Sequence, residues 1–170
     1  MIVLLNGALG IGKSTLAEAL SEEWSSSVML DGDYLVALNP EPMDTLEYLH
    51  KTICLLMSFH LENGYRNFII NHIWSSQRKL EDLVARIKRV DPTQEVRCFL
   101  LMLTTEENLK RVSKRQESRV IDEIDYELEI LARERAVLYG ADGIQLGEPF
   151  DVSASPDDLV SEMKLRLDIE

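Results

Sequence analysis

"MIVLLNGALGIGKST", Met1 to Thr15, decides how the rest of the chain reads. Five apolar residues run without alternation into Asn6, which suits a strand buried on both faces. Gly7-Ala8-Leu9-Gly10-Ile11-Gly12-Lys13-Ser14-Thr15 then follows the spacing G-x-x-x-x-G-K-[ST], and Ser14 to Trp24 has an amphipathic helical pattern. Glycines let such a loop curl until successive N–H groups face one phosphate, and the following helix adds its positive end. Residues 7–15 are therefore expected to hold a nucleotide's phosphates. Lys13 would reach the β- and γ-phosphates, and the Ser14 hydroxyl would hold magnesium. The apolar run is short and no basic residue precedes it, so it reads as a first strand rather than a signal peptide.

Outward from this loop the chain repeats the strand-then-helix alternation. Strand-like runs lie at 27–31, 67–73, 95–103 and 143–146, and helical patterns at 44–62, 77–90, 105–118, 122–139 and 156–167. Uninterrupted apolar strands separated by helices predict an α/β chain with a parallel sheet covered on both faces. Asn63-Gly64 and Asp91-Pro92 punctuate helix ends, and Ser155-Pro156 opens the last helix. The 170 residues, 45% of them hydrophobic, are enough for one compact domain.

Thirty acidic against 18 basic residues give a net charge of −12, which argues against a nucleic-acid partner. No apolar stretch is long enough to span a bilayer. Cys54 and Cys98 lie far apart without metal-ligand spacing, as in a reduced, cytoplasmic protein.

The second strand ends in "LDGDYL", placing Asp31 and Asp33 on the sheet edge where the phosphate loop opens. The third, "NFIINHIW", ends in Asn71-His72 where a nucleotide hydrolase would carry an acid. A phosphate loop with an acid pair on the second strand resembles the small P-loop metabolite kinases, among them shikimate, gluconate and adenylylsulfate kinases and chloramphenicol phosphotransferase. The resemblance spans the chain in order of elements, and its specific part is the phosphate loop. It implies a P-loop NTPase fold, a five-stranded parallel sheet in the order 2-3-1-4-5. The whole chain, 1–170, would be one domain, with an acceptor-binding region at about 32–66 and a short helical lid at about 111–121. It further implies ATP and Mg2+ as cofactors, Asp31 as the magnesium-side acid and Asp33 as the general base, with Lys13 catalytic. For Asp33 a second reading stands beside this one, that it caps the short helix that follows.

Arg111, Arg115 and Arg119 recur every four residues and share a helical face. Either they pair with neighbours such as Glu107 on the surface, or they act as lid arginines. In the second case Arg115 would be catalytic, and Arg111 and Arg119 would touch the nucleotide. The region 32–66 carries Lys51 and Arg66 as its only Lys or Arg and is rich in Leu, Met and Tyr, which suits a mostly uncharged acceptor. Asn71, His72 and Trp74, with Arg78 nearby, could hydrogen-bond and stack on that acceptor, and His72 could equally be structural. Gly147 to Pro149 are candidates to lie against adenine. The run "DEIDYELE" reads as a solvated helix face.

The expected function is an ATP-dependent phosphotransferase, a kinase acting on a hydroxyl of a small, mostly uncharged metabolite or antibiotic. The alternatives are a nucleoside or nucleotide kinase, or a non-catalytic nucleotide-binding protein; oligomeric state is open.

Overall fold

The computed structural model describes residues 1–117, 123–140 and 146–169. Its strands are β1 (Ile2–Asn6), β2 (Ser27–Asp31), β3 (Asn67–His72), β4 (Val96–Met102) and β5 (Glu148–Asp151). Its helices are α1 (Lys13–Glu23), α2 (Gly32–Leu35), α3 (Thr45–Glu62), α4 (Gln77–Val90), α5 (Thr105–Gln116), α6 (Ile124–Leu138) and α7 (Pro156–Leu167). All strand pairs are parallel, as the strand pattern predicts, and the sheet order is β2-β3-β1-β4-β5, as the resemblance implies.

The central strand explains the layering. Ile2, Val3, Leu4 and Leu5 are all fully buried, and each such side chain contributes about 1.5–3 kcal/mol. Alternate residues point to opposite faces. Val3 and Leu5 join Ile69, Phe99 and Leu101 in the core under α1 and α7. Ile2 and Leu4 join Phe68 and Ile70 in the core under α3 and α4. A third cluster, with Leu100, Val112, Leu131 and Leu138, seats α5 and α6 above β4. Among the described residues no helix is long and apolar enough to cross a membrane.

The helix ends follow their punctuation. Asn63 and Asp91 are the C-caps of α3 and α4, and Ser155 accepts from Asp158 N to open α7. Thr104 caps α5, exchanging bonds with Glu107.

The fifth strand is displaced from its expected place. The run 143–146 does not supply it: residues 143–145 lie outside the described residues, and Leu146 is buried just ahead of β5. β5 pairs only with β4, so it is a sheet edge, where Pro149 can be tolerated. Only Phe150 of its four residues is buried, which leaves it too polar to read as a strand. Gly147 brings the chain in so closely that a Cβ there would lie 2.7 Å from Leu100 N. Gly147 to Pro149 therefore pack beside β4, and Arg166 and Arg97 hold Glu148, rather than forming a free loop.

Candidate active site

The loop 7–12 curls between β1 and α1, with Gly10 and Gly12 in left-handed backbone at φ 68° and 109°. Lys13 is 8% exposed and donates to Gly7 O (2.9 Å) and Ala8 O (3.1 Å). Burial pushes its pKa down, while Asp33, Glu134 and Asp31 favour its charge. These three carboxylates around one ammonium make a charged centre at the strand tips.

Register builds the next layer. Asp31 on β2 stands level with Asn71 on β3, so their side chains share one face. Ser14 Oγ donates to Asp31 Oδ2 at 2.7 Å, and Asn71 Nδ2 donates to the same oxygen at 2.8 Å and to Ser14 Oγ at 3.2 Å. Asn71 is 1% exposed and faces this cluster instead of an open acceptor space. Its Oδ1 is buried without a hydrogen-bond partner.

Asp31 also settles which acid caps α2. Its Oδ1 accepts from Asp33 N at 2.9 Å, so Asp31 is the N-cap and Asp33 is not. The Asp33 side chain is 71% exposed and bonds His72 Nδ1 at 3.2 Å. That bond holds its carboxyl below the usual carboxylate range, with burial working the other way.

Trp74 does not fit the stacking role expected of it. It is fully buried, its indole N–H donating to His50 Nε2 (3.3 Å) and its backbone N to Asn6 Oδ1 (3.0 Å). A flat ring with no free face can only shape the site from behind. Arg78 is exposed and lines a separate cleft of about 510 Å3 with His50, Asp82 and Arg86.

The arginines divide. Arg111 does not pair with Glu107; it donates to Ile11 O (2.8 Å) and to Val152 O (2.7 Å), spanning from the phosphate loop to the segment after β5. Arg115 donates to Glu127 Oε1 at 2.7 Å, and its charge bears on Lys13 and Asp33. Glu127, 5% exposed, is thus an inward-facing member of an acidic run expected to be solvated. Arg119 lies outside the described residues, as does the rest of 118–121 at the end of the expected lid.

Several contacts had no sequence signal. Glu134 Oε2 accepts from Leu9 N at 2.7 Å, Tyr139 OH lies 3.3 Å from Ala8 N, and Asn108 Nδ2 donates to Leu9 O at 3.0 Å. Burial raises the Glu134 pKa despite the Leu9 bond. Asn6, fully buried at the tip of β1, ties Trp74 O and Leu146 O; a polar residue closing an apolar strand was its one visible hint. Beside the loop a cavity of about 310 Å3 is lined by Gly12, Thr15, Arg111, Val152, Ala154 and Pro156.

No family model matches the chain, and no curated protein matches it. Solved structures do. It is similar to the tunicamycin resistance protein of Deinococcus radiodurans, at 16% identity and TM-score 0.68 over 99% of this chain and 96% of that one. It is similar to a sugar kinase from Janibacter sp. HTCC2649, at 18% identity and TM-score 0.69 over 99% and 94%. Shikimate kinase from Bacteroides thetaiotaomicron follows at 14% identity and TM-score 0.63, covering 99% of both chains. The chain has the fold of the small P-loop metabolite kinases.

Proposed function

We propose that the chain is an ATP-dependent phosphotransferase that moves the γ-phosphate to a hydroxyl of a small, mostly uncharged molecule. The observation that carries this reading is the meeting of five residues at one sheet edge: buried Lys13, the Ser14–Asp31–Asn71 cluster, and the exposed Asp33 carboxylate. Two of the similar structures are named as kinases, of a sugar and of shikimate.

The residues present fit magnesium. Ser14 Oγ and Asp31 Oδ2 are hard oxygen donors 2.7 Å apart, and Asn71, bonded to both through Nδ2, carries a buried Oδ1 without a partner. Among the described residues no three of His, Cys, Asp or Glu are placed to hold a metal ion together, so the cation would take most ligands from water and phosphate. When bound, it neutralises phosphate charge. Asn71 holds Ser14 and Asp31 in place for it.

Lys13 exchanges its two loop carbonyls for phosphate oxygen, a stronger partner for a buried ammonium. The adenine lies in the cavity between Arg111 and the 152–156 segment. Asp33, kept ionised by His72, takes the acceptor's proton. Arg115 stands to neutralise the phosphoryl group in flight, with Arg119 as its lid partner. Residues 32–66 receive the acceptor, and the exposed Tyr34, Leu38 and Met43 of that region favour a neutral one.

The test is transfer of labelled γ-phosphate from Mg-ATP to a panel of sugars, polyols, nucleosides and hydroxylated antibiotics. Product with wild type and none with Lys13→Ala supports the reading. Product on nucleosides alone would favour a nucleoside kinase. ATP bound without product across the panel would favour a binding protein.

A further inference from the structure

The glycine of Asp31-Gly32-Asp33 has a reason that lies on another strand. Gly32 is buried and opens α2, and no left-handed backbone angle requires it to be glycine. A Cβ there would sit 2.7 Å from both Cβ and Nδ1 of His72, and 2.8 Å from its Cγ. The imidazole occupies the space that any other residue would fill.

His72 is held in that seat from the other side. The Trp74 ring meets it edge-on, with centroids 5.5 Å apart and planes at 78°. Trp74 is fixed in turn by Asn6 and His50. From here Nδ1 faces Asp33 Oδ1 at 3.2 Å, and among the described residues this is the one side chain bonded to that carboxylate. Asp33 rides on a helix of four residues and its side chain is 71% exposed, so little else limits its rotation.

We propose that His72 is a positioning residue for phosphoryl transfer, holding Asp33 Oδ1 so that Oδ2 receives the acceptor proton, and that Gly32 is glycine to admit its ring. The inference rests on the phosphotransferase reading. In the step itself the acceptor oxygen bonds the γ-phosphorus as the bond to the diphosphate oxygen breaks. The hydroxyl proton passes to Asp33 Oδ2 and then to water, and nucleoside diphosphate leaves with the electron pair. Misplacement of a reacting group by about 1 Å costs on the order of 100-fold in rate, which is the leverage a positioning contact has.

Two arms test it, both at one fixed pH. In the first, 15N spectra of the histidines report which ring nitrogen carries the proton. His72 is expected as the Nδ1–H form in wild type and to lose that form in Asp33→Ala; a ring indifferent to Asp33→Ala overturns the contact. In the second, Mg-ATP is turned over against a fixed mixture of glucose, ribitol, inositol, uridine and tunicamycin. His72→Ala is expected to lower kcat roughly 10- to 100-fold with the KM for ATP unchanged. His72→Asn, which keeps a donor near the Nδ1 position, should restore most of it. Gly32→Ala should reproduce the loss in wild type and add nothing in a His72→Gly background, where neither the ring nor the Cβ at position 72 remains to be displaced. A wild type that transfers while His72→Ala keeps full kcat overturns this inference alone, as does a Gly32→Ala cost that persists in the His72→Gly background. A wild type that transfers nothing, with Nδ1 still on Asp33, overturns the phosphotransferase reading and the role assigned here with it.

Discussion

The two ends of the cleft, proposed to take the phosphate donor and the acceptor, are held in opposite ways. At the donor end, Glu134, Tyr139, Asn108 and Arg111 reach in from α5 and α6 and bond the backbone of the phosphate loop at Leu9, Ala8 and Ile11. Lys13, Asn71 and Asn6 beside it are buried. At the acceptor end, Asp33 is exposed and hangs from one imidazole, with Tyr34 82% exposed next to it. A triphosphate is the same in every reaction, so its dipoles can be set in advance, and fixed dipoles cost no reorganisation when charge moves. Among the described residues, the end proposed for the acceptor carries no such bracing around Asp33.

That contrast can be broken from the donor side first. Lys13→Ala should cut transfer by roughly 1,000-fold, the scale of losing a fixed charge at the transferring group. It should not lower the stability of the nucleotide-free protein, because removing a desolvated ammonium relieves a cost. Steady-state kinetics and a thermal melt check both halves. Asp33→Asn comes next, with transfer down about 100- to 10,000-fold but stability within about 0.5 kcal/mol, as expected of an exposed side chain.

Asn71→Asp sharpens the comparison. It sets a second carboxylate in the buried cluster beside Asp31, which should cost about 1–3 kcal/mol without magnesium. Added Mg2+ should restore the loss, and melts with and without the cation read it directly. Unchanged melts in both conditions would argue that Asn71 does not face a cation site.

The smallest effect is expected at Glu134. Its folded pKa is raised, so between the ordinary value near 4.5 and the raised one the native state binds more protons than the unfolded state. Stability should therefore fall as pH rises through that window. Glu134→Gln should flatten the fall by less than about 1 kcal/mol in pH-dependent melts, while keeping an acceptor for Leu9 N–H.

How much of this was legible follows from range and pattern. The phosphate loop was visible because its spacing, preceding strand and following helix are all local. Asp31 was visible as a strand-tip acid, but its partner Asn71 lies 40 residues away and is found only through parallel register. Glu134 and Tyr139 reach the loop across 125 and 131 residues, beyond any periodicity. β5 was misread because an edge strand with one inward residue looks like a loop. Trp74 was misread because a strand-tip aromatic can face outward or inward, and here Asn6 and His50 turn it inward.

The most direct measurement takes binding and transfer from the same samples. Mg-ATP affinity by calorimetry and labelled phosphate transfer to the acceptor panel would be recorded for wild type, Lys13→Ala and Asp33→Asn. Lys13→Ala is expected to lose both, whereas Asp33→Asn keeps nucleotide affinity within about twofold and loses transfer at least 100-fold. Transfer that survives Asp33→Asn, or nucleotide binding that falls in step with it, would contradict the division of the site into a donor end and an acceptor end.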